Sequence, residues 1–131
     1  MTAFTWTSLA LVVLGGAIGA VARWGFVELS KVLLGRHNVM VSASIGIAAA
    51  NVLASFLLGV VVAGMNGDWA LFLAVGVTGS LSTYSSFAID TIDLARAGRS
   101  WTALFAVAVS LTAGLLALAL GQAVGGGIAG G

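Results

Sequence analysis

Residues 76–87 read Gly76-Val77-Thr78-Gly79-Ser80-Leu81-Ser82-Thr83-Tyr84-Ser85-Ser86-Phe87. This run lies inside an apolar segment long enough to cross a bilayer, yet it holds two glycines three residues apart and six hydroxyl residues besides the tyrosine. At membrane depth, glycines and hydroxyls are tolerated where a helix is interrupted against protein or lines a polar path. Because the chain has no proline, glycine and hydroxyl residues must make any such interruption. The density of hydroxyls here predicts a break in the helix.

The composition places the chain in a membrane, in contact with lipid. Of its 131 residues, 60% are hydrophobic and only 7% are charged, whereas a soluble domain carries about 25% charged residues. The absence of cysteine excludes disulfides, thiolate metal sites and a cysteine nucleophile. One histidine and four acidic residues are too few for a catalytic constellation, and a net charge of +1 argues against a nucleic-acid partner. We therefore expect a membrane protein that is not an enzyme.

Four apolar segments predict four transmembrane helices, since a helix needs about 20 residues to cross a bilayer. They cover residues 7–28, 41–64, 69–92 and 101–124. The short linkers make neighbouring helices antiparallel, so that residues 1–131 form a single all-α transmembrane domain. We expect the glycine-rich tail, residues 125–131, to be frayed. Small residues on the spans, such as Gly15, Gly19 and Gly46, predict close helix packing.

The basic residues show a one-sided pattern that predicts topology. The first and third linkers carry Lys31, Arg36, Arg96 and Arg99, whereas the second linker and both tails carry no lysine or arginine. By the positive-inside rule, the first and third linkers lie in the cytoplasm and both termini lie outside. Four tryptophans fall at or near the predicted span ends, where aromatic rings settle at the headgroup level. They are Trp6, Trp24, Trp69 and Trp101.

Asn51 and two aromatic residues are the first candidates for a polar path. Asn51 lies near the middle of the second span, where an unpaired amide is costly, so it must face a partner. It either joins two helices by a hydrogen bond or points an NH2 donor into an anion path. Tyr84 and Phe87 are three residues apart and share one helix face. They are either a packed pair or two rings whose positive edges hold a dehydrated anion.

Other polar residues leave similar alternatives. The hydroxyls of residues 80–86 either bond back to their own helix or mark the break. Arg23, the one basic residue inside a predicted span, either extends to the interface or collects anions at a vestibule. Ser110 and Thr112 are two apart, so at most one can line a given path. Asp90 and Asp93 fall at the end of the third span, and we interpret them as interfacial.

At these residues the sequence resembles the Fluc (also called CrcB) family of fluoride channels. The matching features are Gly15-Gly16-Ala17-Ile18-Gly19-Ala20-Val21-Ala22-Arg23-Trp24 in the first span, Asn51 with Gly46 and Gly59 in the second, and the hydroxyl-aromatic run in the third. The family's third span typically reads Gly-Gly-Leu-Thr-Thr-Phe-Ser-Thr-Phe, and here it is Gly79-Ser80-Leu81-Ser82-Thr83-Tyr84-Ser85-Ser86-Phe87. The resemblance covers nearly the whole chain, although Tyr84 stands where the family usually has phenylalanine.

The resemblance implies an antiparallel, dual-topology dimer with two fluoride pores in the cell inner (plasma) membrane. It implies a structural, non-transported sodium ion held by backbone carbonyls at the third-span break, where the matching positions are Gly79 and Ser82. It also implies a pore lined by five matching side chains, with Arg23 as a vestibule or interfacial charge. The pore residues are Asn51, Thr83, Tyr84, Phe87 and Ser110.

The function that follows from the resemblance is passive export of fluoride, which lowers its toxicity in the cytoplasm. Two alternatives stay open. A small four-helix multidrug or cation exporter would share the size, but it needs a carboxylate inside the membrane, and all four acids fall at or beyond predicted span ends. A non-conducting subunit of a heterodimeric fluoride channel would account for the one-sided charge, since half the copies in a homodimer must insert against that bias.

Overall fold

The computed structural model describes residues 5–34 and 39–130, and every regular element among them is helical. The elements are α1 (Trp6–Leu33), α2 (Val39–Gly64), α3 (Asp68–Leu71), a π-helical segment (Phe72–Thr78), α4 (Gly79–Leu81), α5 (Tyr84–Arg96) and α6 (Ser100–Ala129). Four stretches are long and apolar enough to cross a membrane: Trp6–Leu33, Val41–Gly64, Asp68–Arg96 and Ser100–Ile128. The prediction of an all-helical chain with four membrane-spanning segments is confirmed.

All four spans run further than the sequence predicts, and α1 and α6 extend the most. α1 continues past Glu28 and includes Lys31, which the sequence places in a linker. The Lys31 ammonium pairs with the Glu28 carboxylate at 2.7 Å, and this i,i+3 ion pair lies within the extended helix. α6 remains helical through the glycine-rich residues instead of fraying after residue 124. Gly125 is buried there, and a Cβ on it would lie 2.3 Å from the Val60 carbonyl oxygen. Packing against α2 therefore orders a segment whose composition alone predicts fraying.

Glycines bring α1 into backbone contact with the third span. A Cβ on Gly15 would lie 2.5 Å from the Phe72 carbonyl oxygen, and one on Gly19 would lie 2.3 Å from that of Val77. No side chain fits at either position without a shift of the neighbouring backbone. Since both contact positions advance together along the chain, α1 and the third span run parallel. The prediction that these glycines pack helices closely is confirmed.

A second parallel pair, α2 and α6, is joined in the same way. A Cβ on Gly121 would lie 2.1 Å from the Phe56 carbonyl oxygen, and one on Gly125 would lie 2.3 Å from that of Val60, so both contact positions again advance together. A Cβ on Gly59 would lie 2.2 Å from the Leu118 carbonyl oxygen. Lipid tails are as apolar as leucine, so the hydrophobic effect does not drive helices together in a membrane. Close backbone packing of this kind contributes to their association instead. α2 also contacts the third span, and α6 contacts its last part, α5.

α2 also packs antiparallel to α1 and forms the core with the end of α4. Gly46 of α2 approaches the Phe26 carbonyl oxygen of α1, at 2.7 Å from an ideal Cβ. The best-buried apolar cluster consists of Ala50, Ala54 and Leu81, with relative exposures of 0%, 3% and 2%. Leu81 is the last residue of α4, so the core anchors the third span immediately before its helical course changes.

The charged linkers lie at one end of the bundle. Lys31 is in the last turn of α1, Arg96 is in the last turn of α5, and Arg99 immediately precedes α6. Arg36 lies outside the described residues. The orientation that the positive-inside rule predicts for this end stays a prediction. The four tryptophans are all exposed on the single chain, as expected for interfacial residues.

Candidate functional site

The third span changes course at Ser82 and Thr83. α4 ends at Leu81, and both following residues have extended backbone angles: φ −78°, ψ 151° at Ser82 and φ −148°, ψ 121° at Thr83. α5 then begins at Tyr84. We refer to residues 82–83 as the extended link. It lies within the hydroxyl-rich run, a few residues after Gly76 and Gly79, both of which are helical.

Asn51 of α2 holds the extended link through both ends of its amide. The Thr83 N–H donates to Asn51 Oδ1 at 2.8 Å, and Asn51 Nδ2 donates to the Thr83 carbonyl oxygen at 3.3 Å. Thr83 is only 8% exposed, so its backbone groups need these partners. Asn51 therefore has the helix-joining role that the sequence left as one alternative. A side-chain amide has two N–H donors, so the second one remains for the other alternative, an anion path.

Thr83 also caps α5. Its Oγ1 accepts from the Ser86 N–H at 3.4 Å, which satisfies one of the backbone donors that a helix start leaves unpaired. The remaining first-turn N–H groups give the start of a 13-residue helix a partial positive charge. Asn51 fixes where this helix start lies, because it holds the capping residue by its backbone.

A cavity of about 290 Å³ opens beside the extended link, between α2, α5 and α6. We call it the link cavity. All five side chains that the resemblance assigns to the pore line it: Asn51, Thr83, Tyr84, Phe87 and Ser110. The remaining lining residues are Ala48, Val52, Ser55, Ser82, Leu111 and Gly114. Its described lining therefore combines amide, hydroxyl and aromatic groups and carries no formal charge.

The pore candidates contribute differently to the link cavity. Ser110 makes no hydrogen bond with any described residue, so its hydroxyl remains available. Tyr84 is 83% exposed, and most of its ring extends beyond the single chain. Thr112 is exposed and donates to the Ala108 carbonyl oxygen at 2.8 Å. As the sequence requires, only one of Ser110 and Thr112 lines the cavity.

Gly79 and Ser82 are the two residues to which the resemblance assigns the sodium ion, and they lie at the start of α4 and at the start of the extended link, respectively. The Thr83 N–H donates to Asn51, so it does not make the helical bond to the Gly79 carbonyl four residues earlier. Likewise, the Ser86 N–H donates to the Thr83 side chain and not to the Ser82 carbonyl. Gly79 is exposed, and an ideal Cβ on it meets only the Ala74 carbonyl oxygen, at 4.0 Å. These backbone oxygens are thus of the kind that a sodium ion takes as ligands.

Arg23 is not part of the link cavity. It lies on α1, is half-buried, and forms no ion pair or hydrogen bond with the residues that the structure describes. The structure does not bring Arg23 together with the five cavity residues.

Reasoning from the sequence did not place Asp90 beside a cavity. It lies within α5, and its Oδ2 is buried and has no hydrogen-bond partner among the described residues. It lines a second cavity of about 450 Å³ with Asp93 and Arg99, which meets the link cavity at Ala48 and Ser110. The structure places Asp90 within α5, which continues to Arg96, and the interpretation of Asp90 as interfacial stays a prediction. A signal was present: Asp90 lies three residues after Phe87, on the same helix face.

Comparison with known proteins gives a consistent result. Residues 10–122 match the family described as CrcB-like protein, Camphor Resistance (CrcB). A protein of Aeromonas salmonicida named fluoride-specific ion channel FluC is 37% identical over 124 residues, covering 90% of this chain and 93% of its own. Proteins with the same name from Thermus thermophilus and Pyrococcus horikoshii are 35% and 33% identical, covering 92% and 86% of this chain and 96% and 91% of theirs.

Proposed function

The chain belongs to the CrcB family, and from this we propose that it is a fluoride-specific channel that passively exports fluoride across the cell inner (plasma) membrane. Export through such a channel lowers the toxicity of fluoride in the cytoplasm. The relatives that carry the fluoride-channel name match this chain over most of their length. The observation that carries the proposal is the link cavity, which gathers five polar and aromatic side chains from three helices and the extended link at one location.

The chemistry of the link cavity suits a small, strongly hydrated anion. A pore must replace the water shell of such an ion with its own donors. The second N–H of Asn51, the hydroxyl of Ser110 and the start of α5 supply donors, and the ring edges of Tyr84 and Phe87 are positive. No lysine or arginine lines the described part of the cavity. Without a full positive charge to hold it, a fluoride ion bound by these donors can also leave, as conduction requires.

We also propose a structural sodium ion beside the cavity. We assign its ligands to the carbonyl oxygens of Gly79 and Ser82, since the N–H groups four residues later donate elsewhere. Carbonyl oxygens are suitable ligands for a hard cation. When bound, the ion supplies fixed positive charge to the interrupted span, and it is not transported. The exposed face of Gly79 leaves room for a second subunit to complete the coordination.

The second subunit lies antiparallel to the first in this proposal. Tyr84, which is mostly exposed on the single chain, is then covered by the partner or by lipid. Trp69 and Phe72 form an edge-to-face pair with ring centroids 5.8 Å apart, so these two aromatic rings pack within the chain. Tyr84 remains the pore aromatic whose environment depends most on the partner.

The one-sided charge favours a second candidate, a subunit of a heterodimeric channel that does not conduct alone. In the described residues, Lys31, Arg96 and Arg99 lie at the same end of the bundle. An antiparallel homodimer places half of these clusters on the side that the positive-inside rule disfavours. A paralogue of opposite orientation removes that conflict. The multidrug exporter is not supported by any relative described above.

Fluoride efflux from liposomes that contain only this protein distinguishes the candidates. The proposed channel releases fluoride from loaded vesicles at a rate that scales with the amount of protein. The heterodimer candidate predicts no release from this chain alone and restored release when an oppositely oriented paralogue is co-reconstituted. Cross-linking of the purified chain in detergent shows whether a homodimer forms in the first case.

A further inference from the structure

Ser55 of α2 is a polar residue of the link cavity to which the resemblance assigns no role. Ala48, Asn51 and Ser55 all line the cavity, and their spacing of three and four residues puts them on one face of α2. Ser55 therefore lies one helical turn beyond Asn51 along the same wall. Its side chain is half-buried at the cavity surface.

The α6 residue opposite Ser55 has no side chain, which leaves space beside the Ser55 hydroxyl. Gly114 of α6 also lines the cavity, and a Cβ on it would lie 3.5 Å from Ser55 Oγ. Ser110 lies one turn before Gly114 on the same face of α6. At the level of Asn51, α6 can offer the Ser110 hydroxyl, but at the level of Gly114 it offers no side chain. The hydroxyl at that level of the cavity comes from α2.

We propose that Ser55 is a further fluoride-binding residue, which supplies at the Gly114 level the hydroxyl donor that α6 lacks. This inference rests on the proposed fluoride channel. In the structure, Ser55 Oγ donates to the Asn51 carbonyl oxygen at 2.9 Å. A hydroxyl can rotate to suit another acceptor, and an anion is a stronger acceptor than a neutral carbonyl. A fluoride ion leaving the Asn51 amide therefore meets Ser55 as its next donor along α2.

The test compares fluoride efflux from liposomes for three variants: Ser55→Ala, the double variant Ser55→Ala with Gly114→Ser, and Thr112→Val. We expect Ser55→Ala to lower the flux about tenfold, the size expected for one lost hydrogen bond to a charged group, and to raise the fluoride concentration that gives half-maximal flux. The double variant returns a hydroxyl from the opposite wall and restores most of the flux. Thr112→Val removes a comparable bond to the carbonyl four residues earlier, outside the cavity, and leaves the flux unchanged.

The outcomes separate this inference from the proposed function. If the wild-type chain conducts fluoride and Ser55→Ala conducts equally well, the inference is overturned while the channel stands. If Ser55→Ala loses flux but the double variant does not recover it, although both remain monodisperse in detergent, Ser55 acts only in packing and the inference again fails. If the wild-type chain conducts no fluoride, the proposed function and the inference fall together.

Discussion

Asn51→Ala removes the side chain that holds the extended link. It deletes two hydrogen bonds to the Thr83 backbone, of 2.8 and 3.3 Å. A neutral hydrogen bond contributes about 1 kcal/mol net, and a buried donor left without a partner costs about 1–3 kcal/mol. Thr83 is 8% exposed, so little water reaches its N–H. We expect a loss of about 2–3 kcal/mol from the state in which α5 starts at the cavity, which corresponds to roughly a 30- to 150-fold change in its population.

The fluoride flux of Asn51→Ala should fall by at least that factor, because the variant also loses an N–H donor in the cavity. The assay is fluoride efflux from liposomes, measured with a fluoride electrode at equal protein density. Asn66→Ala is the matched control, since Asn66 is an exposed asparagine in the linker before α3 and lies outside the link cavity. Flux of Asn51→Ala within about twofold of wild type would refute both the link-holding role and the pore assignment.

Three further predictions use the same liposomes. Phe87→Ile keeps apolar volume but removes the ring edge, and we expect roughly a 5- to 30-fold loss of flux, since one desolvated contact with an aromatic ring is worth of the order of 1–2 kcal/mol. Replacement of sodium by a large organic cation on both sides should lower the flux and the melting temperature together. Gly59→Ala places a Cβ 2.2 Å from the Leu118 carbonyl oxygen and should destabilise the α2–α6 pair, with loss of monodisperse protein in detergent.

Each of these predictions has a control and a contradicting result. Leu120→Ile, at an exposed leucine of α6, controls for a change of apolar side chain, and equal flux of Phe87→Ile would remove Phe87 from the pore. Potassium in place of sodium tests whether the carbonyl site is selective, and unchanged flux without sodium would remove the structural ion. Gly25→Ala meets no atom within 4 Å, so a comparable loss there would show that glycine contacts do not explain the packing.

The four spans could be predicted because hydropathy and length are properties of each segment alone. The helix ends could not, since they depend on contacts between segments. α6 stays helical past residue 124 because Gly125 packs on Val60, and the sequence does not state that pairing. The π-helical segment at Phe72–Thr78 was also missed, because no proline or charge marks it.

The candidate site was predicted as a set of residues, but its internal contacts were not. The resemblance placed five side chains in one pore, and the structure gathers all five around the link cavity. The resemblance did not predict that both ends of the Asn51 amide bond the Thr83 backbone, because these bonds join residues far apart in the chain. Ser55 and Asp90 were recognisable only by their helical spacing from Asn51 and Phe87. Each lines a cavity that forms between several helices, and the sequence of one helix does not reveal such a cavity.

The selectivity of the purified protein tests the central claim most directly. Liposomes containing only this chain are loaded with equal concentrations of sodium fluoride and sodium chloride, and the release of both anions is followed from the same vesicles. We predict protein-dependent release of fluoride with retention of chloride. Release of both anions at comparable rates, or fluoride release no faster than from protein-free vesicles, would contradict the proposal that this chain alone forms a fluoride-specific channel.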